Sequence, residues 1–227
     1  MTVSILRFEA PMMSFGAPIV SEEGRIQPYP ALSMMTGLLA NALGYDRSEA
    51  EKHERLQQGL SYAVREDVPG EKIVDYQTAD LGQPHLQAKS KRDSVAWTTW
   101  GHLDQRGSGN TDTTNIRHRE YWADAQYAVA LHVDGMSADE VREALVRPER
   151  PLFIGRKPCL PSGRLFLTSV EAESLTEALQ NPKTIPDGVM PRRLWRESDD
   201  GTPVTDARDW TNQIHVGERR VEEKEFP

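Results

Sequence analysis

Within "PLFIGRKPCLPSGRLF", residues 151–166, Gly155, Arg156 and Lys157 stand among three prolines, and Phe153 lies two places before the glycine. No acidic residue falls between Arg150 and Arg164. These residue types in this order suit the gripping of a phosphate backbone. A glycine lets a backbone approach a ligand closely, and an N–H beside it can meet a phosphate oxygen. Arg156 and Lys157 supply charge, the prolines hold the loop in shape before anything binds, and Phe153 offers a face to a splayed base. The same residues also fit a plain surface turn, with Phe153 in the core and the basic pair solvated.

Three other stretches carry comparable chemistry. Arg117 and Arg119 flank His118, which suits phosphate clamping or, more blandly, surface ion pairs with Glu120 or Asp124. "QAKSKRDSVAWTTW", residues 87–100, interleaves Lys89, Lys91 and Arg92 with Trp97 and Trp100, as a hairpin wedged against a nucleic-acid strand or docked on a neighbour would. The tryptophans themselves read better as packing or interface residues than as base stackers. In "PMMSFG", residues 11–16, Met12, Met13 and Phe15 fit either an apolar ledge for bases or the core. Ser33 fits a helix N-cap or a phosphate contact.

Catalytic patterns are absent. The six histidines, at 53, 85, 102, 118, 132 and 215, form no pair by spacing, and there is no HExxH, no Gly-Lys-Ser/Thr phosphate loop and no His/Cys zinc set. One cysteine allows neither an internal disulfide nor a cysteine zinc site. With 37% apolar and 27% charged residues, the composition predicts a globular cytoplasmic protein without membrane span, metal or cofactor. The net charge of -8 argues against nucleic acid only as a global sum. Residues 89–119 carry six basic against three acidic side chains, while acid gathers in "DRSEAEKHE" and "RESDDGTPVTDARD".

The elements that must position these residues are partly periodic. "TVSILRFE" reads as a strand, and "ALSMMTGLLANALG" spaces its apolar residues helically up to a Gly44 stop. Residues 48–58 suit a solvated helix and "LSYAVREDV" a strand. From 69 to 118 no period holds. "AQYAVALHV" alternates as a half-buried strand, and "SADEVREALV" opens with a Ser137/Glu140 capping box. "RLFLTSV" is a strand and "EAESLTEALQ" a short helix. The remainder is Pro-rich and charged, with short strands at 192–197 and 212–222. This series predicts an α+β fold with the split βαβ order of ferredoxin-like and RNA-recognition-motif domains. The expected domains are 1–180, with an insertion at about 69–118, and a C-terminal extension, 181–227, packing on the core.

Three of these stretches go further. "APMMSFGAPIVSEEGR...PYPALSMMTGLLANALG", "DYQT" with "RHREYWADAQYAVAL", and "FIGRKPCLPSGRLF" occur in order and resemble the type I-E branch of the CRISPR-associated Cas five family. The resemblance spans roughly residues 3–180. It implies a ferredoxin-like core with an inserted β-hairpin thumb, and a non-catalytic subunit of the Cascade surveillance complex that caps the 5′ handle of the guide RNA. The implied partners are crRNA, the backbone subunit and the large subunit, with target DNA near the PAM-proximal end as a further contact. The RNA-binding candidates are Met13, Phe15, Ser33, Lys91, Arg92, Arg117, Arg119, Phe153, Gly155, Arg156 and Lys157. A metal-independent endoribonuclease acting on precursor crRNA and a scaffold without RNA contact are the competing readings.

Overall fold

A computed structural model describes residues 1–17, 23–80, 95–97, 103–105 and 114–227. In chain order the strands and helices are β1 (Thr2–Glu9), β2 (Met12–Met13), β3 (Glu23–Gly24), α1 (Leu32–Ala42), α2 (Ala50–Gly59), β4 (Leu60–Val68), β5 (Glu71–Asp80), β6 (Val95–Trp97), β7 (Leu103–Gln105), β8 (Thr114–Ala123) and β9 (Gln126–Val133). They continue with α3 (Ala138–Val146), β10 (Phe166–Glu171), α4 (Leu175–Gln180), β11 (Arg193–Val204), β12 (Ala207–Asp209), β13 (Ile214–Val216) and β14 (Arg219–Glu225). Two units result, one of Met1–Pro18, Arg25–Ile73 and Glu120–Pro227, the other of Ile19–Gly24 and Val74–Arg119.

The first unit is built on a six-stranded sheet of order β10-β1-β9-β4-β11-β14, every neighbouring pair antiparallel. Alternation sorts side chains to its two faces. Leu6 and Phe8 of β1, Tyr62 and Val64 of β4, and Tyr127, Val129 and Leu131 of β9 face a core shared with α1, α2 and α3. Val3, Ile5, Ala63, Ala128 and Ala130 face the other way, against Ala178 and Leu179 of α4. Each large side chain so buried contributes about 1.5–3 kcal/mol.

The termini of the elements follow local chemistry. Ser137 and Glu140 form the expected capping box at α3, and Gly44 takes φ +75° just past α1. The helix predicted to be solvated at 48–58 is instead covered on one side. His53 lies 4.6 Å from the Trp210 ring, and Gln57 exchanges hydrogen bonds with the Arg208 backbone at 3.0 Å.

Two further expectations change. The stretch 69–118, which showed no period, contributes β5 and the start of β8, which pair with each other. Residues 71 to 78 of β5 are nowhere buried, so no apolar face imposes alternation on the sequence. Past residue 181, β11 and β14 join the main sheet, and β11 runs from 193 to 204 rather than stopping at 197. The strand expected at 212–222 divides into β13 and β14 around Gly217.

The C-terminal segment also brings Phe226 over a buried cation. Arg65, fully inaccessible in β4, pairs with Asp67 and donates to the carbonyls of Leu179 and Thr184 and to the Thr184 hydroxyl, with the Phe226 ring 5.6 Å away. Burial pushes the Asp67 carboxyl up against the lowering pull of Arg65. Breaking such a buried pair from one side costs about 3–5 kcal/mol.

Candidate nucleic-acid interface

The basic loop between α3 and β10 is anchored at both ends. At its start, Arg150 pairs with Asp46 at 2.7 Å and donates to the Tyr45 carbonyl at 2.6 Å, while Asn41 Nδ2 donates to the Pro151 carbonyl at 2.6 Å. At its end, Ser162 N donates to Glu9 O and Arg7 N to Leu165 O, both at 2.8 Å, so the loop continues along β1. Ile154, Cys159 and Leu165 are buried beneath it. The Cys159 thiol is therefore inaccessible, and burial pushes its pKa up.

Between these anchors the glycine has a different partner from the one its type suggested. Gly155 sits at φ +93°, and a Cβ there would lie 1.7 Å from the Ser14 carbonyl oxygen. Ser14 N donates to Ile154 O at 3.1 Å on the same contact. The close backbone approach that requires glycine is thus made to the chain's own backbone just after β2. Arg156 is likewise engaged: Nη1 donates to the Glu120 carbonyl at 2.9 Å, and its guanidinium lies 5.0 Å from the Tyr121 ring centre. Lys157, by contrast, is exposed and has no partner among the described residues, while Phe153 is half-buried.

The proposed apolar ledge is core. Met13 and Phe15 are fully inaccessible. Phe15 meets Tyr127 edge-to-face at 5.0 Å, Tyr127 lies 6.4 Å from Trp195, and Trp195 lies 5.8 Å from Tyr29. An aromatic column across the sheet uses these rings, and none of Phe15's face remains for a base. Met12 alone of that trio is half-buried, in β2 opposite Ala123.

Ser33 is not the N-cap of α1 either. Ala31 holds that position without a side-chain bond, and the first N–H groups are met from far along the chain. Leu32 N donates to Asp206 Oδ2 at 3.1 Å and Ser33 N to Asp206 O at 2.9 Å. Asp206 is fully buried and bidentate to Arg219 at 2.8 and 2.7 Å. Arg219 also donates to Tyr62 OH, which donates to Pro30 O at 2.7 Å. Burial pushes the Tyr29 phenol up to about 12 and that of Tyr62 well above its ordinary value. The positive end of α1, a natural anion site, is filled by the protein's own carboxylate. No local signal could have shown this, since Leu32 and Asp206 are 174 residues apart.

In the second unit, Arg117 and Arg119 project from one face of β8, His118 from the other. Both arginines are half-buried, and neither side chain has a hydrogen bond or ion pair among the described residues. The expected competitor, Glu120, is occupied elsewhere: its carboxylate meets Lys72 Nζ at 3.1 Å and accepts from Ile26 N at 3.2 Å. His118 and Arg119 pair in parallel with Glu23 and Gly24 of β3, and the His118 ring lies 5.3 Å from Tyr76. Lys91 and Arg92, with Lys89 and Trp100, lie outside the described residues, and of Trp97 only the strand is described. No cluster of metal-ligating side chains occurs among the described residues, and no helix among them is long and apolar enough to cross a membrane.

CasD, a subunit of the CRISPR system Cascade of Escherichia coli (strain K12), is 28% identical over 180 residues, 78% of this chain and 75% of CasD. A chain of a CRISPR RNA-guided surveillance complex superposes with TM-score 0.74 at 24% identity, covering 98% of this chain and 89% of that one. The crystal structure of a Cas protein gives TM-score 0.66 at 23% identity, over 99% and 95% of the two chains. These two likenesses concern the fold. The model of the CRISPR-associated protein (Cas_Cas5) family matches residues 5–222, the C-terminal strands included, and the chain belongs to that family.

Proposed function

We propose that this chain is a non-catalytic subunit of a type I-E Cascade surveillance complex that holds the 5′ handle of crRNA and contacts the backbone and large subunits in the cytoplasm. The support is family membership together with the likeness to CasD. The strand order β10-β1-β9-β4, with α1 and α2 in one crossover and α3 in the other, supports reading the core as ferredoxin-like. The β5–β8 pair is then the stem of an inserted thumb.

The observation that carries the RNA reading is a division of labour among cations. Arg150 and Arg156 hold the loop to the protein, whereas Lys157, Arg117 and Arg119 have no internal partner among the described residues. Unpaired cations on a chain of net charge -8 mark where an anion from outside belongs. Phe153 beside the loop supplies a stacking face worth about 1–3 kcal/mol per base. Gly155 then acts indirectly, by seating the loop on Ser14, and Met13 and Phe15 by sharing the buried cluster of Ile154, while Ser33 stays in the first turn of α1. Lys91 and Arg92, outside the described residues, remain RNA-binding candidates from the sequence alone, and target DNA near the PAM-proximal end is a further candidate contact.

Two measurements test this. Repeat RNA incubated with the purified protein should stay intact; metal-independent cleavage would replace the reading with the endoribonuclease. Replacing Arg119, Arg156 and Lys157 together by Ala should weaken handle binding and flatten its salt dependence, by about 0.7 in slope for each phosphate no longer neutralised. Unchanged RNA retention and assembly would leave a scaffold without RNA contact.

A further inference from the structure

The main sheet ends in two strands that are treated differently. β14 carries a charge at every position from 219 to 225 except Val221, the usual protection against pairing with a foreign strand. β10, at the other edge, has neither charge nor proline from Phe166 to Val170. Its backbone is open on the outer side. Met1 N donates to Ala172 O at 2.8 Å and Ala172 N to Met1 O at 3.1 Å, which makes Met1·Ala172 a pair exchanging both bonds. By antiparallel alternation the Val3·Val170 and Ile5·Thr168 pairs do the same, and the N–H and C=O of Ser169 and Glu171 point away from β1. One weak bond reaches that side, from the Thr168 hydroxyl to Ser169 O at 3.4 Å.

This edge also borders a groove. About 510 Å³ of space lies along it, lined by Leu167, Thr168, Ser169, Val170 and Glu171 on the strand side and by Asn181 and Lys183 opposite. The Glu171 carboxylate is already engaged, by the Thr2 hydroxyl at 2.5 Å and the N-terminal ammonium at 3.8 Å. Lys183 is exposed and has no side-chain partner among the described residues. We infer that β10 receives an extended segment of a partner protein as an added strand, main chain against Ser169 and Glu171, with a carboxylate of that segment meeting Lys183. The inference rests on backbone geometry and groove charge, and the proposed RNA track includes none of these residues.

The test uses the full chain and a soluble hexapeptide of alternating Thr and Val with Glu at one end, titrated by fluorescence anisotropy. Ser169→Pro deletes an outward N–H that the sheet does not use, so the fold should survive. Binding should weaken roughly tenfold in this variant, and as much when the peptide amides are N-methylated. Lys183→Glu should shift preference to the same peptide ending in Lys, a readout that stands even where Ser169→Pro fails to fold. Equal binding by all variants, or none by the parent chain, overturns the inference. So does displacement of the peptide by repeat RNA, or self-association that Ser169→Pro abolishes, which would make the occupant a second copy. Handle-RNA affinity of Ser169→Pro, expected unchanged, reads the RNA proposal separately.

Discussion

The side chain that Gly155 lacks would overlap the Ser14 carbonyl oxygen, 1.7 Å from the position of its Cβ. Two segments about 140 residues apart in sequence are thereby pressed together, backbone on backbone, with the Ser14 N to Ile154 O bond at 3.1 Å beside the contact. The shape of the basic loop is set here, before any ligand arrives.

Gly155→Ala should therefore act on stability. The left-handed backbone alone costs about 1–3 kcal/mol for a non-glycine residue, and the clash adds to it. Urea denaturation should show a loss larger than that, while Gly163→Ala in the same loop, with open space at its Cβ, should stay within about 0.5 kcal/mol of the parent. Equal stability of both variants would contradict the described contact.

Arg156 and Lys157 should separate in their effects although they are adjacent. Lys157→Ala should leave the denaturation midpoint unchanged and reduce the salt slope of RNA binding by about 0.7. Arg156→Ala should lower the midpoint, because it removes the bond to Glu120 O and the guanidinium over Tyr121. Thermal melts and RNA titrations at several salt concentrations distinguish the two.

Asp206→Ala should be among the most damaging single changes outside the loop. It removes the acceptor for Leu32 N at the start of α1 and leaves Arg219 buried without its charge partner. A cost of about 3–5 kcal/mol follows from the unpaired cation. Amide exchange should show the first turn of α1 opening as well, which a purely charge-based loss would not produce.

Cys159 should resist thiol reagents in the native state and react fully in denaturant. Burial raises its pKa above the ordinary value of 9.0. A group whose folded pKa is raised favours the folded state less as it ionises. Its contribution is thus complete below the unfolded pKa and is lost as pH rises through the folded one. Cys159→Ala should accordingly lessen the fall in stability on the alkaline side of pH 9.0, measured by denaturation across that range.

Much of the frame was legible locally. β4 begins and ends where "LSYAVREDV" does, and the Ser137/Glu140 capping box opens α3, because burial on one face writes a period and a cap is a contact three residues long. β5 and β14 were not legible in full, since strands with little buried surface leave polar residues free to vary.

The sequence by itself determined the sign and the neighbourhood of the candidate site: a basic loop without acid, a pair of arginines around His118, and a chain otherwise acidic. Only the tertiary structure decided which cations are spoken for. Arg156 is taken by Glu120 O, the α1 N-terminus by Asp206, and Phe15 by Tyr127, whereas Arg117, Arg119 and Lys157 have no partner among the described residues. Residue type reports what a side chain can bind, but whether that capacity is already filled depends on groups brought near by the fold from far along the chain.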